Sequence, residues 1–241
     1  MGNLTRADGV RISFAHVSGQ GPTLVFLPGY ASDMEGTKAL ALAEWARAND
    51  RAMLRLDYSG CGESGGRFED GTLDIWRDDV LSVLGQVTGP VVLVGSSMGG
   101  WLMLLVALAL PSRVVGLVGI AAAPDFTDWG FSEPEKLDIE RDGRMERASN
   151  YGDPMVTTAG FWRSGQANLL LNNAIAIDCP VRLLHGQADP DVPWETSLHI
   201  ARQLRSHDVQ VILVKDGDHR LSRAQDIGLL LATVEALLDT L

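Results

Sequence analysis

The 241-residue sequence predicts a single α/β domain, a mostly parallel sheet flanked by helices, on three observations. Short β-branched or aliphatic runs recur along the chain, the intervals between them have helical periodicity, and the runs are apolar on both faces. Strands covered by helices on two sides must look like that. The composition, 46% apolar and 21% charged, is that of a globular protein. One core approaches its size limit at about 250 to 300 residues, and no Pro/Ser-rich linker or charge block divides the chain.

In chain order, residues 11–18 alternate, with Ile12, Phe14 and His16 on one side, which suits an antiparallel edge strand. The parallel strands follow at 23–27, 52–57, 91–94, 114–121, 181–185 and 209–214. Helices are expected at 37–48, 73–87, 98–110, 194–205 and 221–238. Residues 124–180 break the rhythm, being several times the usual connection length. They carry ten acidic and five basic side chains and six of the protein's 15 aromatics, Phe126, Trp129, Phe131, Tyr151, Phe161 and Trp162. Such a concentration suggests a helical lid, inserted at about 124–178, whose aromatics face a ligand.

Several functions are excluded early. The net charge of −11 repels nucleic acid and anionic membranes. The longest apolar run, residues 101–110, is half of the roughly 20 needed to span a bilayer. Cys61 and Cys179 have no CxxC spacing, so neither a metal site nor a disulfide framework is expected. The N-terminus has no basic and apolar leader, and Arg6 stands where a myristoylation signal needs Ser or Thr, so a cytoplasmic location is the expectation.

Gly95-Ser96-Ser97-Met98-Gly99 lies between an apolar strand and an apolar helix. A nucleophile on so sharp a turn needs almost no side chain two residues before and two after it. Centring on Ser97 puts Gly95 and Gly99 there, whereas Ser96 would put Val94 and Met98 there. Serine needs a histidine base oriented by a carboxylate. With the order nucleophile, acid, base, only His219, in Asp216-Gly217-Asp218-His219, follows every acid candidate from a loop after the last strand. Asp189 sits a short turn beyond the strand at 181–185, with Asp191 as its rival. Asp57 reads as a turn-former. Oxyanion donors are expected from the N–H of Met98, after the nucleophile, and of Tyr30 in Pro28-Gly29-Tyr30. Cys61 lacks a base nearby in sequence, and Gly60-x-Gly62-x-x-Gly65 is a weak match to a nucleotide loop. No cofactor is expected.

With these residues placed, the chain resembles the α/β-hydrolase superfamily, and within it the palmitoyl-protein thioesterase and acyl-glucuronide esterase branch. The resemblance rests on Phe26-Leu27-Pro28-Gly29-Tyr30, Gly36-Thr37-Lys38-Ala39-Leu40, Asp57-Tyr58-Ser59-Gly60, Gly95-Ser96-Ser97, Gly99-Gly100-Trp101-Leu102-Met103-Leu104, Arg182-Leu183-Leu184-His185-Gly186, Val192-Pro193-Trp194 and Asp218-His219-Arg220. It implies an eight-stranded sheet and a serine hydrolase of thioesters or activated esters, small or acyl-protein, with Ser97, Asp189 and His219 at the family's triad positions. The same triad would serve a C–C bond hydrolase, and a catalytically silent receptor would keep the fold alone.

Overall fold

The computed structural model describes residues 1–149 and 152–241. Strands β1 (Gly2–Thr5), β2 (Arg11–Val17), β3 (Gln20–Leu27), β4 (Arg51–Leu56), β5 (Val91–Ser96), β6 (Val114–Ile120), β9 (Val181–Gly186) and β10 (Val209–Val214) form one eight-stranded sheet. Their order is β1-β2-β4-β3-β5-β6-β9-β10. From β4 to β10 every neighbouring pair is parallel, while β2 runs antiparallel to both β4 and β1. The alternating segment at 11–18 is thus antiparallel as its pattern suggests, but it is not the edge. Strand β1 covers it, pairing Gly2 with Phe14 and Thr5 with Arg11. Four residues with alternate exposure leave no apolar run to mark β1 in sequence.

The pleat divides the core in two. Val25, Leu27, Leu54, Leu56, Val91 and Leu93 face helices α2 (Leu73–Leu84), α3 (Met98–Ala109) and α7 (Glu195–Gln203), which contribute Trp76, Trp101 and Ile200. Their chain neighbours Leu24, Phe26, Met53, Val92 and Val94 face α1 (Thr37–Ala48) and α8 (Ala224–Leu238), which contribute Leu42 and Val234. A period of two in strands covered on both sides produces that division directly. Helix α3 is buried from Met98 through Ala107, so it has no polar face to turn to solvent. No helix among the described residues is long and apolar enough to cross a membrane.

Between β6 and β9 lie α4 (Phe126–Trp129), α5 (Glu133–Asp142), an antiparallel hairpin of β7 (Arg144–Ser149) and β8 (Gly152–Thr158), and α6 (Ala159–Ala167). The insertion is therefore not wholly helical. Gly143 ends α5 at φ +79°, a left-handed turn that launches β7. The polar residues that follow carry only isolated apolar side chains, too few for the run that marked the main strands. The insertion has its own small core of Phe131, Ile139 and Ala159, packed by Phe126, Met145 and Trp162. Arg147 lies 4.4 Å over the Phe131 ring and binds both Glu135 oxygens, at 2.9 and 2.6 Å. Tyr151 lies outside the described residues.

Asp125 ties the two ends of this segment. It is buried at φ +60°, and its carboxylate accepts the N–H groups of Leu170 and Leu171 at 2.8 to 3.0 Å. Asp125→Ala leaves those donors unpaired, so it should cost about 1 to 3 kcal/mol in urea denaturation and speed limited proteolysis between α5 and α6. Unchanged stability and an unchanged cleavage pattern would show that the insertion is held elsewhere.

Candidate active site

The site is assembled where β5 turns into α3. Ser97 stands between them at φ 55° and ψ −120°, a conformation that costs a non-glycine residue about 1 to 3 kcal/mol. A Cβ on Gly95 would lie 2.3 Å from the Gly99 carbonyl oxygen, and one on Gly99 would lie 2.1 Å from that of Leu27. Neither position has room for a side chain. The turn is fixed to β6 and beyond, because Ser97 N–H donates to Ile120 at 2.9 Å and Ser97 accepts from Ala123 at 3.0 Å. Ser96 stays buried at the end of β5.

Three residues from distant parts of the chain meet here. His219 Nε2 is 3.1 Å from Ser97 Oγ, and His219 Nδ1 is 2.8 Å from Asp189 Oδ2. A ring nitrogen facing a carboxylate carries the hydrogen, so Nε2 presents its lone pair to the serine hydroxyl. Asp189 is held on all sides. Its Oδ1 accepts the N–H groups of Asp191 and Val192 at 2.8 and 2.9 Å. Burial alone would raise this carboxyl, but hydrogen bonds from His185 and His219, the charge of His219 and the Val192 N–H hold it well below the usual range.

Asp191 donates its backbone N–H to Asp189 Oδ1. Asp57 is buried elsewhere, its two oxygens accepting from Met34 N–H at 2.7 Å and Glu63 N–H at 2.9 Å, so it joins two loops as a turn-former. Among the described residues, ligand atoms of Asp189, Asp191 and His219 lie within 4.8 Å of one another. The lone pairs of Asp189 are already occupied by N–H donors, so this cluster is not a convincing cation site.

Met98 opens α3, so its N–H lies outside the helical ladder. The Pro28-Gly29-Tyr30 turn lies against the serine, since a Cβ on Gly29 would be 3.4 Å from Ser97 Cβ. The Tyr30 ring is clamped by Phe68, Trp76, Phe126 and Phe161 at centroid distances of 4.7 to 6.0 Å, and its hydroxyl donates to the Val156 carbonyl on β8 at 2.6 Å.

A cavity of about 570 Å³ opens from Ser97 and His219. Phe126, Trp129, Phe131 and Met155 of the insertion line it together with Pro28, Tyr30 and Lys38. Phe161 and Trp162 do not. Phe161 packs under Tyr30, and Trp162 turns inward, its indole N–H bonded to the Thr127 carbonyl at 3.0 Å.

His185 plays a part that sequence reasoning missed. It is fully buried, with Nε2 3.2 Å from Asp189 Oδ2 and 3.1 Å from the Val192 carbonyl, and Nδ1 2.8 Å from Ser197 Oγ. Nε2 faces two acceptors and therefore carries the hydrogen. The spacing of His185 and Asp189, four residues apart across a strand end, is the one local signal that could have linked them.

Residues 24–227 match the family described as the alpha/beta hydrolase family. The chain belongs to that family. The α/β hydrolase is 42% identical over 244 residues, 99% of its length and 80% of the relative's, to a Homo sapiens protein named palmitoyl-protein thioesterase ABHD10, mitochondrial. It superposes on the alpha/beta hydrolase domain-containing protein 10 from mouse with a TM-score of 0.92 at 40% identity, covering 99% of this chain and 98% of that one. A solved structure from Agrobacterium vitis S4 gives 0.93 at 38% identity, with 98% of each chain covered. The expected cytoplasmic location does not hold against these relatives, whose human, orangutan and bovine members are named mitochondrial. Composition and charge fit any aqueous compartment and carry no address.

Burial holds both thiols of this α/β hydrolase in the protonated form. Burial pushes Cys61 up to about 12, with the charges of Asp57, Asp79 and Asp33 adding to it, and burial pushes Cys179 up to about 11. A raised thiol stays neutral, and the thiolate is the reactive form. Ellman's reagent should therefore label neither cysteine rapidly in the folded protein and both in urea. Rapid labelling without urea would refute this.

Proposed function

We propose that this α/β hydrolase is a serine hydrolase that cleaves carboxylic thioesters or esters through an acyl-enzyme on Ser97. The observation that carries the reading is the continuous contact from Ser97 Oγ to His219 Nε2 and from His219 Nδ1 to the buried Asp189 carboxylate. Ser97 Oγ attacks the acyl carbon while its proton passes to His219 Nε2. The imidazolium gives that proton to the departing thiolate or alkoxide, and Asp189 balances the transient charge. Water then attacks the acyl-serine with His219 as base, releasing the acid and restoring the serine hydroxyl. The N–H groups of Met98 and Tyr30 receive the oxyanion, each such donor contributing about 3 to 4 kcal/mol.

The cavity and the relatives together support the substrate class. Its wall of Phe126, Trp129, Phe131 and Met155 suits an acyl chain or aromatic acid, and the curated relatives at 41 to 42% identity are named palmitoyl-protein thioesterases. In this reading the segment between β6 and β9 is the lid of one hydrolase domain, and the chain works without a metal or organic cofactor.

A fluorophosphonate should label Ser97, and Ser97→Ala should abolish both labelling and ester hydrolysis with the circular dichroism spectrum unchanged. More than a few percent residual activity would sink the assignment, and a silent receptor would not label at all. Asp189→Asn should lower kcat by orders of magnitude, on the order of 10⁴, and Asp191→Asn by little; the opposite ranking would exchange their roles.

Each methylene buried by the acyl chain contributes about 0.8 kcal/mol, so four carbons should raise kcat/KM by roughly two orders of magnitude. A p-nitrophenyl ester series from acetate to decanoate measures this slope. Trp129→Ala should flatten it, whereas Trp162→Ala, which alters the insertion's core and not the cavity wall, should leave it. A series in which acetate is best would remove the acyl groove from the proposal.

A further inference from the structure

We propose that Lys38 is a positioning residue for His219, its ammonium holding the loop that carries the imidazole; this rests on the serine-hydrolase reading above. Lys38 stands in the first turn of α1, and its Nζ donates to the main-chain carbonyl of Arg220 at 2.5 Å, joining positions 182 apart in sequence. Arg220 directly follows His219. On its other side the chain turns sharply, with Leu221 at φ 44°, a left-handed conformation unfavourable to leucine.

Other ties of this loop come from β10, from the turn after β9, from within itself and from the start of α8. Gly217 N–H donates to Val214 at 3.1 Å, and Leu221 N–H donates to Asp218 Oδ1 at 2.9 Å. The Arg223 guanidinium binds Asp216 at 2.9 Å and Asp226 at 2.8 Å. Ala188 N–H donates to the Gly217 carbonyl at 3.0 Å, and Ser222 Oγ shares the Arg220 carbonyl at 3.0 Å. Lys38 ties the loop to α1, next to the imidazole, and Lys38, Arg220, His219 and Ser97 line one cavity. An imidazole must stay within hydrogen-bond reach of both serine and carboxylate, and small displacements there cost rate.

The groups facing the ammonium set its titration. Burial, followed by the Arg220 guanidinium, lowers it, while Asp218 on the loop and Asp226 on α8 draw it up, and the balance leaves it at about 8. Asp33, Asp191 and His219 line the same cavity. A lowered lysine is charged below that value and neutral above it. The ammonium is the stronger donor to the Arg220 carbonyl, so the loop loosens as pH rises through about 8.

The experiment compares the parent protein with Lys38→Met and Lys38→Arg, using a neutral p-nitrophenyl ester from pH 6 to 10 and a neutral fluorophosphonate. Thermal unfolding reports whether each variant folds. In Lys38→Met, kcat at pH 7.5 and the rate of Ser97 labelling should fall together, about tenfold, with KM within twofold. The parent's activity should decline above about pH 8. Lys38→Arg, charged throughout this range, should keep most of the rate and lose that decline. A Lys38→Met protein with unchanged kcat and pH profile would overturn the proposal. So would an effect confined to KM for an anionic ester, which would make Lys38 a substrate contact. If Lys38→Met does not fold, Lys38→Arg decides alone, and persistence of the alkaline decline overturns the proposal. Failure of the parent to label at Ser97 would instead overturn the serine-hydrolase reading, whatever the Lys38 variants do.

Discussion

Between the last residue of β5 and the first of α3 the backbone reverses direction at Ser97, in a conformation its side chain disfavours, and every part of the site is arranged around that turn. Steric demand fixes the neighbours, because Gly95 and Gly99 approach carbonyl oxygens too closely for any Cβ. The strain is sustained by burial on either side. Strand β5 is buried throughout, α3 through Ala107, and the serine's own N–H is bonded to the end of β6. A local penalty of about 1 to 3 kcal/mol is small against two elements that cannot move separately without exposing both halves of the core.

The carboxylate is fixed in a different way. Asp189 lies on a loop, and its rigidity comes from saturation, with two backbone N–H groups on one oxygen and two imidazoles at the other. His185, locked by Ser197 from beneath, gives the loop a floor that belongs to β9. The serine is thus held by sterics and the acid by hydrogen bonding, while His219 moves with a loop fastened at separate points.

Legibility in sequence followed the range of the interaction concerned. The parallel strands were readable because each is an apolar run, with β4, β5 and β9 buried on both faces, and Ser97 was readable because its constraint acts within four residues. The meeting of Asp189 and His219 with it was legible from chain order, since both loops leave the same edge of a parallel sheet. Strand β1 and the β7–β8 hairpin carry no such run, and their pairing is settled by main-chain hydrogen bonds that leave little trace in side-chain type. The separation of Trp129 from Trp162, and the span from Lys38 to Arg220, depend on packing between segments far apart in the chain. Periodicity cannot report that.

Tyr30 joins two events that the proposed mechanism would otherwise keep apart. Its main chain lies in the turn proposed to receive the oxyanion, and its hydroxyl is bonded to β8 of the insertion, with its ring wedged against Phe126 and Phe161. Free-energy coupling between two sites is reciprocal. If the oxyanion orders this turn, it must by the same amount favour the docked hairpin, and a ligand that peels the hairpin away must weaken oxyanion binding equally. An acyl chain long enough to reach β8 would then act as an effector of its own hydrolysis, and the insertion would tune turnover without contributing a reacting atom.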